Sequence, residues 1–346
     1  MILRRAAWVG GAMLALPLAA LALLAVNLGP AEALSQRTFF QILTGSTGGT
    51  YFPVGQLIAG LVSHPPGVDR CENGADLCGP RGLIVTARTS DGAVANVLAV
   101  NAGRAESGLA QSDVVAQAVS GTGAFATIGK QTNLRVIADL FPEDVHLIVA
   151  RKAKIASVAD LKGKRVSLGA ETSGTSVTVK AILEAYGISV WRIKAQHNAA
   201  DTDAQLLQQG QIDAFFMVGG RPVALVSDLV ARGVAKVVPI DGKGRDKLVK
   251  MVPALSADTI PANTYPGMPA IPTVKVQALW LVYAKEPNDL VYSITRALFA
   301  PGNRAALAAG HRAAAGIALS SAIQTLPAPL HPGAASFYRE RGLLKR

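Results

Sequence analysis

The run TFFQIL over Thr38–Leu43 passes into TGSTGGT over residues 44–50, then into YFPVGQLIAGLV over Tyr51–Val62. The first piece is β-branched and aromatic, which suits a strand. The last places apolar residues at helical spacing, with Pro53 in the first turn, where proline is tolerated. Small hydroxyl residues and glycines lie between them. A strand, a polar glycine-rich exit and a helix make one unit of an α/β sheet. In open sheets of this kind, ligands bind at the carboxyl ends of the strands.

The unit recurs. Residues 82–87 (GLIVTA) read as a strand, Thr89-Ser90-Asp91-Gly92 as its exit, and residues 93–102 as a helix with Val94, Val97 and Leu98 on its apolar face. Residues 107–110 form a short strand, and Gln111-Ser112-Asp113 opens another helix. Residues 135–140 and 145–150 are further strands. Residues 165–168 lead through Glu171-Thr172-Ser173-Gly174-Thr175 into a helix over 177–186, ended by Gly187 as a C-terminal cap. A helix over 201–209, a buried strand over 212–218, a helix over 222–232, a strand over 235–240 and a long strand over 274–283 follow, and two helical stretches finish the chain. This alternation on both sides of residue 150 predicts a two-lobed α/β fold with mostly parallel sheets. Residues 34–148 plus 251–346 form lobe I and residues 149–250 lobe II. Segments 145–150 and 274–283 are the hinge-crossing strands.

Three exits, residues 44–50, 89–92 and 171–175, sit where strands end and helices begin. Exposed N–H groups and the helix dipole make such ends anion sites, and glycine lets backbone approach a ligand. Ordinary helix capping uses the same residue types and is the competing explanation. Exits contributed by both halves favour a shared cleft.

The N-terminus has a different grammar. Arg4 and Arg5 precede an apolar run over 6–26, which Asn27, Leu28, Gly29 and Pro30 interrupt before Ala31-Glu32-Ala33. That pattern is a secretory leader over 1–33. The run approaches the ~20 residues of a membrane span, so an uncleaved anchor is the alternative. Either outcome places the remainder outside the cytoplasm, in the periplasm. No lipobox cysteine follows the run. The net charge of +11 falls to +10 once Arg4, Arg5 and Glu32 leave with the leader. The basic residues are scattered, without the stripe or interleaved aromatics of a nucleic-acid surface, and their field favours small anions. Cys71 and Cys78 flank a turn-rich hexapeptide, which in an oxidising compartment reads as a disulfide. Metal binding is the rival, but no His/Cys pair completes a site. The five histidines lie far apart, no Walker loop or G-x-S-x-G elbow is present, and the glycines at 121 and 123 follow a helix instead of a strand. Asp139, Glu143 and Asp144 suggest paired acids, although a solvated turn explains them better. No enzyme activity, metal or cofactor is expected.

The run from Thr44 to Gly55 (TGSTGGTYFPVG) resembles the first ligand loop of the TAXI-type solute receptors of tripartite ATP-independent periplasmic (TRAP) transporters. Residues 89–96 (TSDGAVAN) are similar to that family's second loop and Gln111-Ser112-Asp113 to its third. Residues 161–169 (LKGKRVSLG) followed by Ser173-Gly174-Thr175 look like its second-lobe loop, and residues 211–216 (QIDAFF) also fit. The likeness spans about residues 38–290. It implies a type II periplasmic-binding-protein (Venus flytrap) fold and a monomeric receptor. Such a receptor hands a small organic anion, a dicarboxylate or an acidic amino acid such as glutamate, to a TRAP-type permease. By this resemblance Ser46, Thr47 and Thr50 donate to a carboxylate beside Gly49, and Tyr51 covers the carbon skeleton, unless it is a plain core aromatic. Ser90 and Gln111 fix the polar end, and Ser173, Gly174 and Thr175 grip from the other lobe. Phe216 is an apolar wall or a core residue. Two departures stand out: the insertion around Cys71–Cys78, and Asp91 where small or amide-bearing residues are usual. A membrane-anchored sensor and an exported hydrolase are the other classes. The hydrolase lacks a base near any candidate serine.

Overall fold

The computed structural model describes residues 37–68, 71 and 77–345, so the leader over 1–33 lies outside the described residues. The chain runs β1 (Thr38–Leu43), α1 (Tyr51–Val62), β2 (Leu83–Arg88), α2 (Ala93–Asn101), β3 (Ser107–Gln111), α3 (Ser112–Ser120) and a long β4 (Leu134–Ala150). It continues with β5 (Arg165–Ser167), α4 (Gly174–Ala185), β6 (Lys194–Gln196), α5 (Ala200–Gln208), β7 (Ala214–Gly219) and α6 (Ala224–Ala231). Then come β8 (Ala235–Val238), α7 (Gly242–Met251), β9 (Ser256–Ile260) and a long β10 (Ile271–Tyr283). Helices α8 (Asn288–Leu298), α9 (Asn303–Gly310) and α10 (Pro332–Glu340) complete it.

The strands lie in the order β2-β1-β3-β10-β4-β7-β5-β6, with β8 also on β4 and β9 on β10. Pairings that involve neither long strand are parallel. Those that involve β4 or β10 are antiparallel. The two long strands pair from Asp144 with Lys275 to Leu134 with Tyr283 and carry the chain between the two halves of the sheet.

Strand side chains alternate between faces, and both faces here are covered. In β10, Trp280 and Val282 join Phe40, Ile42, Ile58 and Phe337 on one side. Leu279 and Leu281 join Val97, Val114 and Phe125 on the other. The second half repeats the pattern. Leu147, Val149 and Phe216 pack with Val179 and Ile182, while Ile148, Phe215 and Met217 pack with Val226 and Tyr265. Each such fully buried side chain contributes about 1.5–3 kcal/mol. Leu255, Ile260, Ile271 and Val274 also belong to the second half's clusters. Cys71 and Cys78 form a disulfide with Cα atoms 5.5 Å apart, which removes the metal alternative for that pair. Among the described residues no helix is long and apolar enough to cross a membrane.

One expectation is overturned. Residues 141–144 are not a solvated turn between two strands. β4 runs through them unbroken, and Asp139, Glu143 and Asp144 are buried within it. Pairing with β10 along this stretch holds the backbone extended. Tertiary partners then receive two of the acids: Arg221 Nη1 donates to Asp144 Oδ2 at 2.7 Å and Tyr51 Oη to Glu143 Oε2 at 2.7 Å. A charged pair after a proline reads locally as a turn, and only partners far along the chain reverse that reading.

Candidate functional site

The exits of β1, β2, β3, β5 and β6 and the body of β7 meet at a cavity of about 110 Å³. Peptide- or drug-sized ligands need several times that space, ~300–1,000 Å³. Ser46, Gly49, Thr50, Tyr51, Ser90, Gln111, Ser173, Gly174, Thr175 and Phe216 all line it. Thr47 does not: it is exposed, and its hydroxyl donates to Asp201 Oδ2 at 3.3 Å.

Many of the hydroxyls hold loops in shape. Ser90 Oγ donates to Asn96 Oδ1 at 2.6 Å and accepts from Gly92 N at 3.1 Å. Asn96 Nδ2 in turn donates to Thr44 O and Leu109 O, both at 2.7 Å, tying the ends of β1 and β3 together. Ser173 Oγ accepts from Ser176 N at 3.1 Å, the capping role the residue type also allows. Thr175 Oγ1 accepts from Val218 N at 3.2 Å. Tyr51 is both a core aromatic and, through its phenol, a partner of Glu143. Phe216 likewise belongs to a core cluster while lining the cavity.

Several bonds cross between the halves around the cavity. Gly48 N donates to Asp201 Oδ2 at 3.1 Å, and Gly220 N to Thr50 Oγ1 at 3.1 Å. Thr178 Oγ1 donates to Asp113 Oδ2 at 2.8 Å. The first turn of α2 donates from Val94 N and Ala95 N to Thr172 O, at 3.1 and 3.2 Å. These helix-end N–H groups therefore serve the opposing loop instead of a guest. Two glycines let the halves approach closely. Gly92 has φ +105°, and a Cβ on it would stand 3.1 Å from Ser173 Cα. A Cβ on Gly174 would collide with Gln111 Oε1.

Residues missed by sequence reasoning define the electrostatics. Asn198, Ala199, Ala200 and Asp203, at the exit of the three-residue strand β6, line the cavity with Asp91 and Glu143. Among the described residues no lysine, arginine or histidine lines it. Glu143 is 2% exposed, and burial pushes its carboxyl up to about 8; the Tyr51 hydrogen bond opposes this, while the charges of Asp113 and Asp144 add to it. Asp203 is fully buried and pushed up to about 7 by that burial, with Ser167 and Asn198 acting against it. Its Oδ1 accepts from Asn198 Nδ2 at 3.1 Å; the Ser167 hydroxyl also acts on the carboxyl, but no donor lies in hydrogen-bonding geometry to Oδ2. Gln111, 2% exposed, has an Nε2 that is also unpartnered. The signal for Asp203 was present in Asn198 and Asp203 at the start of a helix, but the strand before it is too short to announce an exit.

A model of the NMT1-like family matches residues 42–342. MatC from Rhodopseudomonas palustris, solved with bound malate, is similar with a TM-score of 0.53 at 14% identity, over 89% of this chain and 99% of that one. The periplasmic binding protein BugD is similar with a TM-score of 0.50 at 12% identity, over 90% and 99%. A further structure described as a periplasmic transporter has a TM-score of 0.50 at 14% identity, over 88% and 94%. At such identities the likeness is one of fold: the described chain has the α/β fold of periplasmic binding proteins.

Proposed function

We propose that this chain, which belongs to the NMT1-like family, is an extracytoplasmic solute-binding receptor that closes on a small organic acid for a membrane transporter. The ligand class is a dicarboxylate or an acidic amino acid such as glutamate, and the permease is of the TRAP type. The receptor binds and releases without catalysis. The single observation that carries the reading is the cavity lined from both halves, two of whose lining residues, Gln111 and Asp203, each hold a buried polar atom with no partner. Buried polar groups are normally satisfied, so Gln111 Nε2 and Asp203 Oδ2 mark where a guest would bond. The resemblance of residues 44–55 and 161–175 to TAXI-type loops supports the permease class, and the malate held by MatC on the same fold suits a small organic acid.

The lobes we infer divide through the long strands. Lobe I takes β1–β3, the Tyr283 end of β10, the Leu134 end of β4, and α8–α10; lobe II takes the remainder, including β9. This moves the second boundary from residue 250 to about residue 276, following the packing of Leu255, Ile260, Ile271 and Val274. Bending at the two crossing strands would open the cavity.

A thermal-shift screen of dicarboxylates and amino acids tests the reading. A ligand that binds only the folded state at a hundred times its Kd adds ~2.7 kcal/mol. At least one compound of these classes should raise Tm accordingly, and Gln111→Leu should remove most of the shift. If no small organic acid or amino acid moves Tm, the receptor assignment fails.

A further inference from the structure

The far pole of the second half is built from the strand ends opposite to those at the cavity. There Ala150 N donates to Asp213 O at 2.9 Å, Asp213 N to Arg165 O at 2.8 Å and Lys194 N to Lys164 O at 2.8 Å. These bonds bring the segment after β4 and the segments before β5 and β6 to one end of the sheet. Residues 151–168 and 187–200 carry eight lysines and arginines and one acid, Asp160. The basic residues look scattered along the chain, but the fold gathers these at the pole. Arg151, Lys152, Lys154, Lys162, Arg192 and Lys194 are exposed, and among the described residues none of the six forms an ion pair. Asp160 accepts from Ala156 N and Ser157 N, both at 2.9 Å, and Asp213 from Arg165 Nη2 at 2.6 Å. Lys164 lies near both acids, which offset its charge, and Glu184 on the last turn of α4 is an exposed opposing charge. Among these cations the short turn Val190–Arg192 holds up Trp191, which is 94% exposed, beside the exposed Val190.

We infer that this pole docks on an anionic lipid bilayer, with Trp191 in the headgroup layer and the surrounding cations on lipid phosphates. A tryptophan ring has an apolar body and a polar N–H, and the membrane–water interface satisfies both at once. Each lysine or arginine held near an anionic leaflet raises binding about fivefold. Unpaired cations spread over three loops match the diffuse charge of a headgroup layer. A stable protein partner needs roughly 800 Å² of complementary face on each side, which one protruding ring amid long, mobile side chains does not offer. The net charge of the whole chain, +11, pulls in the same direction. Because the pole lies away from the strand exits, a receptor docked there keeps its cleft free to open and load, whichever solute it takes.

Vesicle flotation tests this with the protein lacking residues 1–33, so that the leader supplies no membrane affinity; residues 37–346 form a compact unit of their own. Its tryptophans are Trp191 and the fully buried Trp280, so a change in emission on binding reports Trp191. Vesicles of phosphatidylglycerol and phosphatidylcholine in equal parts should bind the protein and shift its emission to the blue; pure phosphatidylcholine should do neither. Raising salt from about 0.1 to 1 M shortens the screening length from about 10 to 3 Å and should release it. Trp191→Ala should weaken binding about tenfold and remove the blue shift. Lys152→Gln, Lys154→Gln and Lys162→Gln together should weaken it at least about tenfold. Neutralising Lys130, Arg304 and Arg312, exposed cations of the first half, removes the same charge and should weaken it less than about threefold. All these positions are exposed, so Tm and any solute-induced rise in Tm should persist in every variant, which separates this test from that of the receptor reading. The lipid assignment is overturned if the anionic vesicles fail to bind, or if the first-half variant weakens binding as much as the polar one. It is equally overturned if native membrane vesicles bind while liposomes of their extracted lipids do not, since the partner is then a membrane protein.

Discussion

Glu143 shows what a buried acid does to a receptor before any ligand arrives. Its carboxyl titrates near ~4.3 in an unfolded chain, and burial holds it up at about 8 in the fold. Between those values the folded state binds more protons than the unfolded state, so stability declines as pH rises. Asp203, held at about 7, acts in the same direction. His146 acts oppositely: burial holds it down at about 4, so its contribution grows as pH climbs toward the ordinary ~6.5 of imidazole and then levels off. The ligand-free protein should therefore lose Tm between about pH 6.5 and 8, and Glu143→Gln should flatten that decline. Differential scanning calorimetry across the interval checks it; a wild-type Tm that rises there contradicts the assignment. None of this was legible locally. Glu143 and Asp144 follow a proline and read as a turn, because the partners that bury them, Tyr51 and Arg221, lie 92 and 77 residues away.

At the scale of elements, the strand–exit–helix units were legible because each carries its own punctuation. The hydroxyl and glycine residues of 44–50, 89–92 and 171–175 separate apolar runs of different period, and β1, β2 and β5 begin and end within about two residues of the expected positions. β6 and β9 were not legible. The first is three residues long, and the second has a mostly exposed face without an apolar alternation. The same limit hid Asn198 and Asp203 from the candidate site. The contact between α4 and the first half carries a prediction of its own. Gly174 begins α4, and a side chain there meets Gln111 Oε1 and Ala93, both on the opposing half. Gly174→Ala should leave each half folded but hold the cleft from full closure. Calorimetric affinity should drop about tenfold, roughly 1.4 kcal/mol, with Tm of the empty protein nearly unchanged. Unchanged affinity would mean that Gln111 swings aside freely and that this contact does not define the closed cleft.

For the whole molecule, β4 and β10 are the two long strands of the sheet: β10 pairs with β3 of the first half and β9 of the second, and β4 joins β10 to β7 and β8. The apolar clusters lie on either side of this crossing, two to each half. The bonds from Gly48 to Asp201, Gly220 to Thr50 and Thr178 to Asp113 bridge the cleft between them. Few in number and arranged around a cavity, they suit a clamp whose closed state is completed by its guest, since a ligand shifts such an equilibrium only by its preference for one state. The most direct test of that clamp is the distance between spin labels on Gln56→Cys in α1 and Gln205→Cys in α5, two exposed positions on opposite halves, with the Cys71–Cys78 disulfide intact. Pulsed electron resonance should give a long, broad distribution without ligand. A shorter, narrow one should appear with the tightest-binding dicarboxylate or amino acid. Identical distributions in the two conditions would contradict the account.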